Sequence, residues 1–180
     1  SGGRISPNMI TIVGLLAHVP IAWLIATNQY ILAAILLVIF GLFDTLDGSL
    51  ARLQKRDSLK GMLLDASTDR FKEIMLYTGA AYSFVSLGRP YMTIWAVIAC
   101  GASLSVSYVK AKGETAVAKS KLTASEVNRL FQDGLLRFEV RMFVLVIGLL
   151  SDRLILAVMV IAVLSTITAL ERLIKISRKL

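Results

Sequence analysis

The chain has 180 residues, of which 56% are hydrophobic and 18% charged, and its mean hydropathy is +0.72. So apolar a composition excludes a disordered chain or an ordinary water-soluble one and indicates an all-α integral membrane protein with a single domain over 1–180, Ser1-Gly2-Gly3 reading as a cloning remnant. The net charge of +8 comes from Lys and Arg that flank apolar runs, so it speaks for topology and for membrane lipid headgroups or phosphates, not for nucleic acid.

Six apolar runs, at about 8–27, 30–48, 65–87, 91–109, 138–151 and 154–171, are expected to be transmembrane helices, since a span needs roughly 20 residues. The fifth run is the shortest and must borrow from residues near Leu135 and Leu154. With six spans, both termini, the 49–64 loop and the 110–137 segment share one side. Of the 20 Lys and Arg, only Arg89 and Arg153 fall on the other. By the positive-inside rule the first side is cytoplasmic, which predicts a multi-pass protein of the cell membrane with both termini inside.

Ser6-Pro7-Asn8 before helix 1 has the chemistry of a helix start, and Asn8 and Thr11 can either cap the helix or meet a ligand. His18 lies within the run with no acidic or histidine partner near it in sequence, which favours a hydrogen-bonded core histidine. Cys100 reads as a small packing residue.

The end of helix 2 and the start of helix 3 carry the densest chemistry. Asp44 and Asp47 are expected to end helix 2, and Asp65, Asp69 and Glu73 to open helix 3 as one stripe. Acidic residues at a helix start complement its dipole, but those at a helix end oppose it, so dipole effects alone do not account for Asp44 and Asp47. Gly48, Ser49 and Ala51 are small enough for close approach, and Arg52 has the planar fork suited to a diphosphate. Gly61 reads as a permissive backbone position before helix 3, while Arg70 and Lys72 are expected to reach headgroups or pair with Glu73.

Four carboxylates beside hydrocarbon require partners, and all-oxygen ligands favour two Mg²⁺ or Mn²⁺ ions over zinc. Two such ions about 3.5–4 Å apart can hold a diphosphate and stabilise a leaving phosphate, and one carboxylate can serve as base toward an acceptor hydroxyl. Metal-dependent phosphoryl transfer at a cytoplasm-facing site between helices 2 and 3 follows from the residues themselves.

Further along, a short surface helix is expected from Thr123, capped with Glu126 and stopped at Asp133-Gly134. Lys110, Lys112, Arg137 and Arg141 border the expected cavity at helix ends, where they either anchor headgroups or form a pocket for an acceptor phosphate. Glu171 to Lys179 reads as an ordinary basic exit.

The pattern Asp44-x-x-Asp47-Gly48-x-x-Ala51-Arg52, eight residues, Gly61, three residues, Asp65, three residues, Asp69 resembles the signature of the CDP-alcohol phosphotransferase family at every fixed position. The resemblance implies transfer of a phosphate-bearing alcohol group from a CDP-linked donor to an acceptor hydroxyl with release of CMP. It also implies that Asp44 and Asp65 are shared by two metals, that Asp47 binds one, and that Asp69 binds the other and acts as base. Gly48, Arg52 and Ser58, with Ala51 and Gly61 as the other fixed positions, resemble the nucleotide and diphosphate side. Pro7-Asn8-Met9-Ile10 resembles the segment that closes over CDP, and a homodimer is implied. Members usually carry an amphipathic helix before helix 1, which is not seen here. Ser107-Tyr108-Val109-Lys110-Ala111-Lys112 with Arg137 and Arg141 is similar to the branch that accepts inositol phosphate. Glycerol phosphate would suit the same basic residues, and CDP-diacylglycerol, its ether analogue and CDP-inositol all remain as donors.

Two rivals stand beside this expectation. An ion-coupled transporter would place its charges nearer the bilayer midplane and often repeat internally. An aspartate-rich prenyltransferase would want a second acidic motif, which Glu126 and Asp133 do not make. Because the proposed role of Arg52 rests on a bidentate fork, Arg52→Lys should weaken donor binding about tenfold in a titration with a CDP-linked donor, and unchanged affinity would remove that role.

Overall fold

A computed structural model describes residues 7–53, 59–117 and 136–178. These residues form six α-helices and no strand. They are α1 (Pro7–Ala26), α2 (Tyr30–Leu53), α3 (Leu59–Ser86), α4 (Thr93–Val117), α5 (Phe138–Leu150) and α6 (Leu154–Ser177), with a 3₁₀ turn at Pro90–Met92. The surface helix expected from Thr123 lies outside the described residues. The chain divides into two compact units, Ser1–Thr93 and Ile94–Leu180.

Every helix coincides with an expected span, yet several run further. Hydropathy marks where a chain leaves hydrocarbon, whereas a helix stops only where its hydrogen-bond ladder is broken. Leu, Ala and Arg after Asp47 are good helix formers, and one glycine costs only about 1 kcal/mol, so α2 continues through Gly48 and Arg52 to Leu53. The expectation that Asp44 and Asp47 end a helix is thereby corrected. Likewise α3 begins at Leu59, so Gly61 lies inside it and Asp65 sits beyond its first turn. Helix α4 carries Lys110 and Lys112 on to Val117.

In the first unit α1 packs on both α2 and α3. The buried residues Ile21, Ile25, Ala33, Ala34, Leu37, Leu76, Tyr77, Ala80 and Phe84 make its core. At Gly79 a Cβ would stand 2.5 Å from the Ala22 carbonyl oxygen, so glycine is what lets α3 approach α1 this closely. His18 Nδ1–H donates to the Gly14 carbonyl at 2.7 Å and the side chain is buried, as the core reading expects. In the second unit α5 and α6 close on each other where Gly148 faces Ala157.

Three helix ends share one chemistry. Asn28, Gly88 and Asp152 have φ of 62°, 71° and 55°, the left-handed region. At each, the two following amide groups turn back onto the helix: Asn28 N–H to Ile25 and Gln29 N–H to Leu24, Gly88 to Val85 and Arg89 to Phe84, Asp152 to Leu149 and Arg153 to Gly148. This is the Schellman closure, which satisfies carbonyls that a helix end would leave bare. Asn28 does more: its Oδ1 accepts from Ser83 at 2.7 Å and from the Tyr30 hydroxyl at 3.1 Å, and its Nδ2 donates to Ser86 at 3.1 Å.

Large apolar side chains cover much of the exterior, among them Trp23, Leu16, Ile31, Phe71, Tyr82 and Tyr91. Two stretches are long and apolar enough to cross a membrane, Pro90–Ala116 and Leu154–Ser177, and Thr11–Ala26 and Tyr30–Leu42 are shorter apolar helices. Helix α5, with 13 residues, extends only about 20 Å against a hydrocarbon core of about 30 Å. Trp23, Tyr82 and Tyr91 lie near the joined ends of α1 and α3, where aromatic residues suit a membrane interface.

The two non-glycine turns should respond oppositely to glycine. Asp152→Gly relieves a left-handed residue and is expected to stabilise by about 0.5 kcal/mol, whereas Asn28→Gly forfeits the bonds to Ser83, Tyr30 and Ser86 and should destabilise by about 1–2 kcal/mol. Thermal unfolding in detergent checks both signs.

Candidate functional site

Asp44, Asp47, Gly48, Ala51 and Arg52 recur at three- and four-residue steps along the single helix α2, so by register they share one face of it. Their side chains lie outside the described residues, as do those of Pro7, Asn8 and Ile10 at the start of α1 and the whole of Ser58. Met9 is described and exposed.

On α3 the acidic stripe is described side chain by side chain, and its environment changes along the helix. Asp65 is exposed, Asp69 keeps 20% of its side-chain exposure, and Glu73 is fully buried. Gly61 stands one turn before Asp65 on the same stripe. Below Glu73 the face continues through the buried Leu76, Tyr77 and Ala80. The stripe therefore descends from water into the core within three turns.

Asp69 is flanked by two cations of its own helix. Lys72 Nζ lies 3.3 Å from Oδ1, and Arg70 Nη2 lies 3.8 Å from Oδ2. Arg70 also reaches Glu73, Nε to Oε2 at 3.5 Å. Lys72 has only 1% of its surface exposed, so it does not reach headgroups, and Asp69 is among its partners. Its burial follows from its position beside the stripe, one residue before Glu73.

Asp65 and Asp69, one turn apart, offer hard oxygen donors with at least partial access, as a divalent cation of the Mg²⁺ or Mn²⁺ kind requires. Among the described residues no group of three or more His, Cys, Asp or Glu stands ready to hold a metal. The expected set needs Asp44 and Asp47 to be complete.

The second unit holds a basic cluster. Arg141, fully buried on α5, donates Nη1–H to the Leu136 carbonyl at 2.8 Å. Arg172, buried near the end of α6, donates Nη1–H to the Val106 carbonyl of α4 at 3.2 Å. The charges of Arg141, Arg137 and Glu114 all act on Arg172, whose Nε is buried with no hydrogen-bond partner among the described residues. Arg137 is the exposed N-cap of α5, and its carbonyl accepts the Arg141 N–H at 3.1 Å.

A buried guanidinium with an N–H left over, as at Arg172, favours an acceptor or an anion beside it. Arg137 and Arg141 also sit at the amino-terminal end of α5, where the helix dipole disfavours cations but favours a bound phosphate. Lys110 and Lys112 lie apart in chemistry from this group. Lys110 is half exposed and pairs with Glu114 at 3.9 Å, and Lys112 lies 5.9 Å from the centre of the Tyr108 ring.

The basic run after Arg172 disguises it as a membrane exit, although it is buried. A signal was present, since Val158, Ile161, Ala162, Ser165, Thr168, Ala169 and Arg172 form one helical stripe of α6, all of it buried.

Over residues 4–170 the chain matches the family model described as CDP-alcohol phosphatidyltransferase. It is 31% identical over 132 residues to the phosphatidylinositol phosphate synthase of Cutibacterium acnes, covering 71% of this chain and 63% of that protein. To the archaetidylinositol phosphate synthase of Pyrococcus horikoshii it is 28% identical over 176 residues, covering 98% and 86%. The chain thus spans less than two thirds of the Cutibacterium relative. Among solved structures, the phosphatidylinositol phosphate synthase of Mycobacterium tuberculosis with CDP-DAG bound superposes with a TM-score of 0.81 at 26% identity, over 96% of this chain and 87% of that one. The same enzyme in complex with manganese and citrate gives 0.80 at 27%, over 96% and 83%.

Proposed function

The chain belongs to the CDP-alcohol phosphatidyltransferase family, and from that membership we propose that it transfers a phosphatidyl-type group from a CDP-linked lipid to inositol phosphate, releasing CMP. The observation that carries the reading is the fixed-gap motif from Asp44 to Asp69, whose positions fall on the two consecutive helices α2 and α3. Relatives named as phosphatidylinositol phosphate and archaetidylinositol phosphate synthases favour inositol phosphate over glycerol phosphate as acceptor, and CDP-diacylglycerol or its ether analogue over CDP-inositol as donor. Manganese in a structural neighbour favours a divalent cation.

In this reading Asp44, Asp47, Asp65 and Asp69 hold two Mg²⁺ or Mn²⁺ ions, which when bound offset the charge of the diphosphate and of the departing CMP. Arg52 grips the diphosphate, with Gly48, Ala51, Ser58 and Gly61 leaving room for the nucleotide and Pro7 to Ile10 covering it. The acceptor hydroxyl attacks the phosphorus that carries the lipid, the bond from that phosphorus to CMP breaks, and Asp69 takes the hydroxyl proton. Arg137, Arg141 and Arg172 hold the acceptor's phosphate, with Lys110 and Lys112 adding positive potential around it. The protein is proposed to cross the membrane six times, with both termini and the site on the cytoplasmic side, and to act as a homodimer.

The test is release of CMP by purified protein from CDP-diacylglycerol, its ether analogue or CDP-inositol with Mg²⁺ and each of inositol phosphate, glycerol 3-phosphate and serine. Inositol phosphate with a CDP-lipid is the expected pair, and turnover only with glycerol 3-phosphate would reassign the acceptor. Asp69→Asn should lower turnover by about 10³-fold or more while CDP-donor binding persists, and undiminished turnover would end its role as base.

Arg172→Gln should raise the acceptor KM about tenfold or more with little change in donor KM. Equal effects on both would show that the residue supports the fold instead.

A further inference from the structure

The two cations beside Asp69 are not equivalent. Arg70 is 27% exposed and divides its charge between Asp69 and Glu73. Lys72 is 1% exposed, and a buried ammonium is costly unless a counter-charge stands against it. Its nitrogen lies 3.3 Å from Oδ1, one of the two oxygens through which Asp69 can bind a cation.

An ammonium and a divalent cation cannot both take full advantage of one carboxylate oxygen, because they repel each other across it. We propose that Lys72 is the resident counter-cation of Asp69: it holds this carboxylate in the metal-free protein, and a divalent cation binds by displacing it. This rests on the reading of Asp69 as a metal ligand. Lys72 is then a positioning residue with two effects of opposite sign. It stabilises the metal-free fold by offsetting a half-buried carboxylate, and it lowers metal affinity by supplying a charge the ion must overcome. The protein can accordingly fold before metal arrives and exchange metal afterwards.

The experiment is a titration of the detergent-solubilised chain with Mn²⁺ alone, read by the electron paramagnetic resonance of the free ion, with thermal unfolding in EDTA and in saturating Mn²⁺. Lys72→Met is expected to bind Mn²⁺ about tenfold more tightly, to melt lower in EDTA, and to gain more from Mn²⁺ than the parent does. Lys72→Arg, which keeps the charge, should stay within about twofold of the parent affinity. Arg70→Gln should change it by less than about threefold, because that charge is more exposed to solvent. Unchanged or weaker binding by Lys72→Met, or an equal loss of melting temperature with and without Mn²⁺, overturns the proposal. Should Lys72→Met not fold, Lys72→Gln takes its place, about tenfold tighter Mn²⁺ binding supporting the proposal and unchanged or weaker binding refuting it. A parent protein that binds no Mn²⁺ removes the metal reading, and this inference with it, before any variant is made.

Discussion

A carboxylate that leaves water must be met by a cation or by hydrogen-bond donors, and most of what is distinctive in the first unit follows from how α3 meets that demand. Asp65 keeps its water, Asp69 keeps some and is flanked by Lys72 and Arg70, and Glu73 has none and stands against Arg70. The descent is possible because α3 is fixed against α1 where Gly79 lets the two backbones approach at Ala22. A helix free to rotate by even a fraction of a turn would exchange the environments of Asp69 and Lys72.

The second unit presents the same problem with the sign reversed. Arg141 and Arg172 each donate an N–H to a backbone carbonyl, which anchors the guanidinium. Arg172 lies near the carboxyl end of α6, where the helix dipole supports a cation, but Arg141 lies in the opening turns of α5, where it does not.

Much of this was readable from residues. The apolar runs located all six described helices because long, nearly unbroken stretches of apolar residues favour helix. The spacing of Asp44, Asp47, Asp65 and Asp69 pointed to the family whose model the chain matches over residues 4–170. The helix ends were read wrongly for a physical reason. Hydropathy falls where polar residues begin, but α2 and α3 extend through those residues, so Asp44 and Asp47 lie within a helix and Asp65 is not at a helix start. Lys72 and Arg172 were misread because charge in a sequence suggests exposure. Their burial depends on which face of the helix meets a neighbour, and for Arg172 only a stripe beginning four turns earlier reveals it.

The left-handed residues at Asn28 and Asp152 bear on how such a chain is assembled. Each joins two helices through a break of three residues, Thr27 to Gln29 and Ser151 to Arg153, with the amide groups of the break already bonded within the first helix of the pair. A helical hairpin closed this way needs no distant segment to define its reversal, and little chain entropy is spent in bringing its two arms together. Helices α1 and α2, and likewise α5 and α6, can therefore reach their paired arrangement while the rest of the chain is still being synthesised. The charged stripe of α3 then arrives after α1, the helix it packs on, has already met α2.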